Sequence, residues 1–430
     1  MKILLINQCF YPDVVSTAQH TSDLASALAA RGHQVTVIAG NRGYDDPSLR
    51  FPAKELWKGI KIHRVPCFAT GKGSRRKRAL NIAGFFLACF GRMLSMRKFD
   101  LVIALTSPPL VSALGALFVR MTGGRFIFWI MDLNPDEAIA AGWLREGSRT
   151  ARVLESILRY SARAADRVIA LDRFMRDRIV AKGLAPEKVV TLPPWSHDND
   201  VRYDAPGRAA FRARHGLDGK YVVMYSGNHS PCHPLDTVLE AARELAGEPH
   251  IVFCFVGGGS EYRKVLDFAA RHRLRNIVCL PYQPLTELSA SLSSADTHLV
   301  VMGRLMAGLV HPCKIYNVLA LGIPVLYVGP VSSHVGDIAA ANPSLPIARV
   351  DHGDVAGLIA LIKAALIKAA QIDAVPNEDM RQLAGAFSVH RLLPLYTAVI
   401  ETIDLPAAKI ERSPAEIGHP VAESRTSGGV

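Results

Sequence analysis

The segment YVVMYSGNHSPCHPLDTVLEAARELAGEPHIVFCFVGGG, residues 221–259, holds two apolar runs that each lead into a glycine-containing turn. The runs Tyr221–Tyr225 and Ile251–Val256 are short and rich in Val, Phe and Tyr, as is typical of buried strands. The helical pattern Pro234–Leu245 lies between them. The segment therefore predicts a strand–helix–strand unit whose two strands run parallel in one sheet.

Similar apolar runs alternate with helical patterns along most of the chain, which predicts an α/β fold with doubly wound parallel sheets. Pro193 and Pro194 interrupt the alternation and predict a boundary between a first domain, residues 1–194, and a second domain, residues 195–386. The last helical pattern is Val389–Ile403. The other expected strands are Ile3–Ile6, Val35–Ala39, Leu101–Leu105, Phe126–Met131, Arg167–Leu171, Val189–Leu192, Ile277–Leu280, His298–Val301 and Pro324–Val328.

The composition is that of a globular protein, since 49% of the 430 residues are hydrophobic and 20% are charged. This length suffices for two hydrophobic cores. No secretory signal is recognisable, and no apolar run reaches the roughly 20 residues that a membrane span needs. The seven cysteines show no metal or redox spacing, which indicates a reducing cytosol. The mixed polar segment 406–430 is predicted to be a disordered tail.

Basic residues are concentrated in the segment Lys58–Phe99, which holds eleven Lys or Arg and no Asp or Glu. Within it, Arg75–Arg78 precede the apolar run Ala79–Gly91. This run suits a helix that lies in a membrane interface with its cations on anionic head groups, and the alternative is a buried helix of the first domain. We predict an anionic membrane surface as a partner through residues 72–98. Nucleic acid is not expected, because the basic run lacks interleaved aromatic residues.

Open parallel sheets bind ligands beyond the carboxyl ends of their strands. In the second domain the strand ends are followed by glycine-rich turns, and a predicted helix begins at Lys314. Such turns and helix N-termini expose N–H groups and a positive dipole end, which suit a diphosphate, and Lys314 adds a charge. Each feature also has a purely structural interpretation. The glycines could form a tight turn, the lysine could be a solvated helix residue, and the histidines could be ordinary loop residues. The residues concerned are Gly227, Asn228, His229, Gly257, Gly258, Tyr282, Arg304, His311 and Lys314.

In the first domain, the predicted strand Phe126–Met131 leads directly into Asp132 and Asp136. Carboxylates at this edge face the crevice, where they could bind sugar hydroxyls or stabilise a cationic transition state. Alternatively, Asp132 caps the next helix. The loop after the first strand faces the same crevice, and its polar residues could contact a substrate or cap a helix. These loop residues are Ser16, Thr17 and His20.

Asp198 and Asp200, separated by one residue, resemble a metal-binding pair, but they follow the Pro–Pro break rather than a strand end. We interpret them as part of a linker. No His or Cys cluster suggests zinc, and neither a Gly-x-Ser-x-Gly elbow nor a phosphate-binding loop occurs. We therefore predict no metal and no cofactor.

Six motifs along residues 1 to 403 resemble glycosyltransferase family 4, which has the GT-B fold of two facing Rossmann-like domains. The nearest similarity is to the bacterial branch that builds O-antigen and exopolysaccharide on lipid carriers. The motifs are Tyr11–Pro12, Arg31–Val37, Tyr225–Asn228, Leu235–Ala242, Val256–Gly259 and Lys314–Val325.

The resemblance implies a retaining, metal-independent glycosyltransferase that moves a hexosyl or N-acetylhexosaminyl group from a nucleotide sugar to a saccharide acceptor, here lipid-linked. It places the donor diphosphate in the second domain and the acceptor against the first. It also implies that residues 387–405 cross back to the first domain, and that the enzyme attaches peripherally to the inner face of the cytoplasmic membrane. The departing diphosphate helps to deprotonate the acceptor, and catalysis consists mostly of positioning and charge stabilisation.

The chain departs from the family at several site positions. Leu309 and Asn317 stand where family members often carry two glutamates, and Asn228 and His233 stand where they carry cations. Lys314 is then the main cation expected near the diphosphate. Our candidate catalytic residues are Asp132, His311 and Lys314. The donor-binding candidates are Gly227, Asn228, His233, Gly257, Gly258, Tyr282, Arg304, Lys314 and Asn317, and the acceptor-binding candidates are Ser16, Thr17, His20 and Asp136.

Two other functions fit the same sequence. UDP-N-acetylglucosamine 2-epimerases share the two-domain architecture and bind a sugar nucleotide without an acceptor. The missing glutamates and cations would also fit a catalytically weakened partner subunit. The basic apolar segment favours the transferase, because an epimerase has no reason to sit at a membrane.

Overall fold

The computed structural model describes residues 1–44, 46–67, 75–196, 201–369 and 376–404, with only the backbone at 75–79. The predicted tail 406–430 and the pair Asp198 and Asp200 lie outside these residues. Within the described ranges, no helix combines the length and apolarity needed to cross a membrane.

The first sheet has eight strands in the order β3-β4-β2-β1-β5-β6-β7-β8. β3 pairs antiparallel with β4 across a tight turn at Lys58 and Gly59, and the other strand pairs are parallel. The strand order reverses between β1 and β5, so the crevice of this sheet lies there. The strands are β1 Lys2–Ile6, β2 Gln34–Gly40, β3 Lys54–Trp57, β4 Ile60–Val65, β5 Leu101–Ala104, β6 Arg125–Trp129, β7 Arg167–Ala170 and β8 Val189–Thr191.

The second sheet has six parallel strands in the order β11-β10-β9-β12-β13-β14. This is the doubly wound arrangement of dinucleotide-binding folds, with its reversal between β9 and β12. The strands are β9 Tyr221–Asn228, β10 Ile251–Gly258, β11 Ile277–Leu280, β12 Thr297–Val301, β13 Val325–Val328 and β14 Ile347–Val350.

Helices cover both sheets and bury the apolar side chains of the strands. The apolar side chains of β1 and β5 are almost fully buried. The helices are α1 Ser16–Ala30, α2 Arg75–Leu94, α3 Ser112–Thr122, α4 Asp136–Ala140, α5 Arg149–Ala164, α6 Arg173–Ala181, α7 Ala205–His215, α8 Asp236–Glu244, α9 Tyr262–Arg271, α10 Leu288–Ser293, α11 Lys314–Leu321, α12 His334–Ala341, α13 Val355–Ala369, α14 Glu378–Gly385 and α15 Val389–Glu401.

The C-terminal helix α15 packs on the first sheet. Its Tyr396 is fully buried between Trp129 and Trp195 and donates a hydrogen bond to the Leu192 carbonyl at 2.8 Å. At its end, Glu401 accepts hydrogen bonds from Arg31 beside α1, which lower the pKa of Glu401 to about 2. Helix α15 therefore returns to the first sheet, as the fold prediction stated.

Each strand expected from the sequence overlaps an observed strand, and the predicted α/β fold is confirmed. The sequence analysis missed β3, β4 and β14, and it gave no bounds for α3, α5, α6, α7, α12 and α14. Both edge strands mix charged and apolar residues, and β4 falls in the stretch Lys58–Phe99 that we considered only for its charge. The exact domain boundaries at 194 and 386 stay predictions.

Candidate functional site

The carboxyl ends of β9 and β12 mark the reversal point of the second sheet, and the helix that follows β12 begins there with Lys314. Gly227 lies near the carboxyl end of β9, and an ideal Cβ at this glycine would lie 3.3 Å from the Lys314 Nζ. The predicted glycine turn and the predicted lysine are therefore brought together.

The carboxyl ends of β9 and β10, which carry the predicted glycine turns, lie side by side in the sheet. Gly257 has a φ of +133°, and a Cβ there would lie 2.2 Å from the Gly227 carbonyl oxygen. A larger residue at Gly257 would thus clash with backbone. This close approach explains why both positions are glycine, and it keeps the two strand ends close together beside Lys314.

Lys314 is the most unusual cation in this region. Among the described residues its buried Nζ has no hydrogen-bond partner, and it lies 3.8 Å from the centre of the Tyr225 ring. Burial lowers the pKa of Lys314 to about 7. An ammonium group at a helix N-terminus, held on an aromatic face without a counter-ion, is suited to an anionic ligand.

The other donor-binding candidates surround this point to different degrees. The Tyr282 ring is half exposed and lies over Gly258. Asn228 is exposed on the β9 turn, and Asn317 is half-buried one helical turn beyond Lys314. Arg304 is exposed, and its guanidinium is engaged with the backbone carbonyl of His352.

His233 does not supply the missing cation. Its Nδ1 lies 2.8 Å from the Val301 carbonyl oxygen, and burial together with the charge of Lys314 lowers the pKa of His233 to about 3. The ring is therefore neutral at physiological pH. His233 therefore adds no positive charge beside Lys314, because burial favours the neutral form of its ring.

A carboxylate pair from the first domain lies across from this region. Asp132 and Glu137 interact electrostatically, and burial, reinforced by the charge of Glu137, raises the pKa of Asp132 to about 8. Asn134 donates a hydrogen bond to Glu137 at 2.7 Å, and the Cys232 thiol of the second domain lies 3.6 Å from the other Glu137 oxygen. Burial therefore favours a protonated carboxyl group in this pair.

Backbone contacts hold the two sides of the crevice together. The Leu133 N–H donates to the Leu309 carbonyl at 2.8 Å. Leu309, which occupies one family glutamate position, is almost fully buried. Its main chain thus fixes the loop that carries Asp132.

His311 is an inter-domain contact rather than a catalytic group. Its Nδ1 lies 2.8 Å from Asp172 of the first domain and its Nε2 lies 2.6 Å from the Tyr316 hydroxyl. Only 1% of the His311 side chain is exposed. Burial alone would raise the pKa of Asp172, but the hydrogen bond from His311 brings it below the ordinary value. With both nitrogens engaged, the predicted catalytic role of His311 is corrected.

The acceptor-binding candidates are dispersed. Ser16 is exposed and Thr17 half-buried in the first turn of α1. His20 is 1% exposed, with its ring nitrogens on the Ser16 and Trp195 carbonyl oxygens, so its prediction as a surface contact is corrected. Asp136 forms an ion pair with Lys182 at 2.7 Å, which occupies one of its oxygens.

Sequence reasoning missed Asp172 and Cys232, and it did not select Glu137 from the acidic run after Phe126–Met131. Glu137 follows the same strand as Asp132, so the strand-end rule could have found it. Asp172 directly follows the predicted strand Arg167–Leu171 and could have been found in the same way. No comparable signal pointed to Cys232, because its partner belongs to the other domain.

Within the described ranges, no group of three or more His, Cys, Asp or Glu side chains is placed to hold a metal ion. The grouping that the structure does assemble is one buried ammonium, the glycine-containing ends of β9 and β10, and a facing carboxylate pair. Such a grouping can bind an anion on one side and a hydroxyl-rich molecule on the other.

Residues 17–195 match the protein family described as the glycosyl transferase 4-like domain. They form a glycosyl transferase 4-like domain. The resemblance to family 4 seen in the sequence is thereby confirmed. The chain is also similar to WcaI of Escherichia coli (strain K12), named as a colanic acid biosynthesis glycosyl transferase, with 28% identity over 381 residues that cover 85% of this chain and 92% of WcaI.

Two solved structures show the fold of the whole chain. Sucrose-phosphate synthase from Thermosynechococcus elongatus has a TM-score of 0.74 at 15% identity, covering 94% of this chain and 99% of that one. HepE of Anabaena, solved in complex with UDP-glucose, has a TM-score of 0.69 at 15% identity, covering 94% of this chain and 100% of HepE. The fold is GT-B, and together with the domain match the chain is a glycosyltransferase.

The buried pair Asp172–His311 leads to a stability prediction. Replacing His311 with Ala leaves the Asp172 carboxylate buried without its partner, which costs about 3 kcal/mol of unfolding free energy. Urea denaturation checks this, with the exposed His272→Ala as a control that changes little. An unchanged unfolding midpoint combined with lost transferase activity would instead restore the catalytic interpretation of His311.

Proposed function

We propose that this protein is a retaining, metal-independent glycosyltransferase that moves a hexosyl or N-acetylhexosaminyl group from a nucleotide sugar to a lipid-linked saccharide. It acts in cell-surface polysaccharide synthesis at the inner face of the cytoplasmic membrane. The similarity to WcaI, whose name refers to colanic acid biosynthesis, supports the polysaccharide setting. The UDP-glucose complex of HepE supports a nucleotide-sugar donor.

The observation that carries the proposal is the unpartnered, buried Nζ of Lys314. A donor diphosphate placed beside the Gly227 and Gly257 turns would supply the missing counter-charge. The N-terminus of α11, where Lys314 lies, would add the positive end of the helix dipole. The same contacts strengthen as negative charge develops on the leaving diphosphate, which is how a preorganised cation lowers a barrier.

The reaction breaks the bond between the anomeric carbon and the diphosphate oxygen, and the electron pair leaves with the diphosphate. The acceptor hydroxyl bonds to the same face of the anomeric carbon and loses its proton to a phosphate oxygen. No metal is needed to balance the charge, because Lys314 and the helix N-terminus stabilise the leaving group.

Asp132 and Glu137 act on the acceptor side. With its pKa raised to about 8, Asp132 is protonated at neutral pH and can donate a hydrogen bond to a sugar oxygen. Glu137, held by Asn134 and Cys232, stabilises that proton by its negative charge. The pair thus orients the acceptor without serving as the nucleophile.

Helix α2 supports attachment to a membrane. Phe85, Cys89 and Met93 are buried in the core. On the opposite face, Leu80, Leu87 and Leu94 are 65%, 74% and 60% exposed. An uncharged leucine stripe beside a basic segment suits an interface of anionic lipids. In this arrangement one face of α2 is buried in the core of the first domain and the other face enters the lipid. Both interpretations of this segment, a buried helix and an interfacial helix, then apply.

Activity is tested with a panel of nucleotide sugars, by measuring the nucleoside diphosphate that is released with and without EDTA. We expect slow release without acceptor from one donor, and no effect of the chelator. Lys314→Ala should lower the rate about 100-fold, as single electrostatic deletions do elsewhere, while the fold is retained. The exposed Lys264→Ala is the matched control.

Different outcomes separate the alternatives. An epimerised nucleotide sugar without diphosphate release would identify an isomerase, and no turnover of any donor would indicate a weakened partner subunit. Loss of activity with EDTA that manganese restores would revive the metal interpretation of Asp198 and Asp200.

Membrane attachment is tested by sedimentation with vesicles of phosphatidylcholine and phosphatidylglycerol. The double variant Leu80→Gln/Leu87→Gln should bind about tenfold more weakly, because it removes the apolar area that enters the interface. Val331→Gln/Ile367→Gln, which changes two exposed apolar residues of the second domain, should bind normally. Equal binding of both double variants would count against attachment through α2.

A further inference from the structure

The helix layer that includes α2 also contains a cationic groove on the outer face of the first domain. Helices α3 and α5 pack side by side and leave between them a groove of about 650 Å³. Three arginines line it, Arg120 from α3 and Arg159 and Arg163 from α5, together with Ser156 and Tyr160. The groove therefore combines guanidinium and hydroxyl donors.

The charge of this groove is not neutralised by the protein. α3 and α5 together carry five arginines and one glutamate. Among the described residues, Arg120 and Arg163 have no acidic partner, while Arg159 pairs with Glu155 at 3.1 Å. Two of the three lining arginines thus keep free guanidinium groups, which match phosphate oxygens in geometry.

The groove is continuous with the basic segment that follows α2. The Lys98 Nζ lies within 3.4 Å of an ideal Cβ at Gly123, the residue that ends α3. Lys98 therefore lies one helical turn from Arg120. Met121 and Val153, 56% and 58% exposed, add apolar surface on the same two helices. Cations and apolar residues are interspersed here, as on a surface that contacts lipid head groups and the upper acyl region.

Arg120 and Arg163 lie in the last turns of helices that lead to the starts of β6 and β7. This is the sheet edge opposite the crevice, so a ligand in the groove does not compete with the donor. Cations in a last helical turn also offset the helix dipole, but Arg159 lies a turn earlier and faces the same groove. The shared direction of the three arginines favours an anion from outside the protein.

We propose that the α3–α5 groove binds the phosphate of an anionic membrane lipid and forms a second anchor beside the leucine stripe of α2. The inference rests on the proposed membrane attachment. With contacts at α2 and at the groove, the helix layer lies along the membrane. The crevice is then held at the lipid surface in one orientation, and a lipid-linked acceptor can reach it from the side.

The test uses the full chain and vesicles of phosphatidylcholine alone or with phosphatidylglycerol. We expect Arg120→Gln/Arg159→Gln/Arg163→Gln to weaken binding to the anionic vesicles about tenfold or more, because each cation near such a surface contributes to affinity. The matched control, Arg271→Gln/Arg273→Gln/Arg275→Gln, removes the same charge from exposed arginines of the second domain and should change binding less than about twofold.

Several outcomes decide the proposal. Equal weakening by both triple variants would show a general charge effect and overturn it, as would unchanged binding of the groove variant. If the groove variant binds normally while the α2 leucine variant does not, the groove proposal fails and the membrane attachment stands. If the wild-type chain binds no vesicle, both fail. Donor hydrolysis by the groove variant should match that of the wild type, and a loss would show that the groove belongs to the catalytic machinery.

Discussion

The ammonium group of Lys314 is buried without a counter-ion, and the arrangement of the crevice follows from this constraint. Removing a charge from water is costly, and the Tyr225 ring compensates only in part. The pKa of Lys314 falls to about 7 as a result. A diphosphate beside the glycine turns would raise the pKa of Lys314 again. The ammonium group would then stabilise the negative charge that develops on the leaving group.

Three contacts join the two domains beside this site. The Asp172–His311 pair, the Leu133–Leu309 backbone hydrogen bond and the Arg173–Asp337 pair cross between the two sides. These contacts set the position of Asp132. His311, which the sequence suggested as a catalytic residue, is therefore one of the contacts that hold the two domains together.

The sequence predicted the fold, and it grouped donor-binding candidates that the structure brings together, for a physical reason. Strand ends of a parallel sheet share one edge, so Gly227, Gly257 and Lys314 could be grouped from their order along the chain. The roles of His20, His233 and His311 could not be derived, because burial and partners decide whether an imidazole is a ligand or a packed core residue. Pairs that join the two domains leave no pattern in a single chain.

The most direct test of the account is the proton uptake on binding of UDP, measured by titration calorimetry in two buffers of different ionisation enthalpy. At about pH 8 the free Lys314 is mostly neutral, so a diphosphate that restores its charge should draw in about one proton per UDP bound. This uptake should vanish in Lys314→Met. UDP binding without proton uptake, or the same uptake in the variant, would contradict the central role of Lys314.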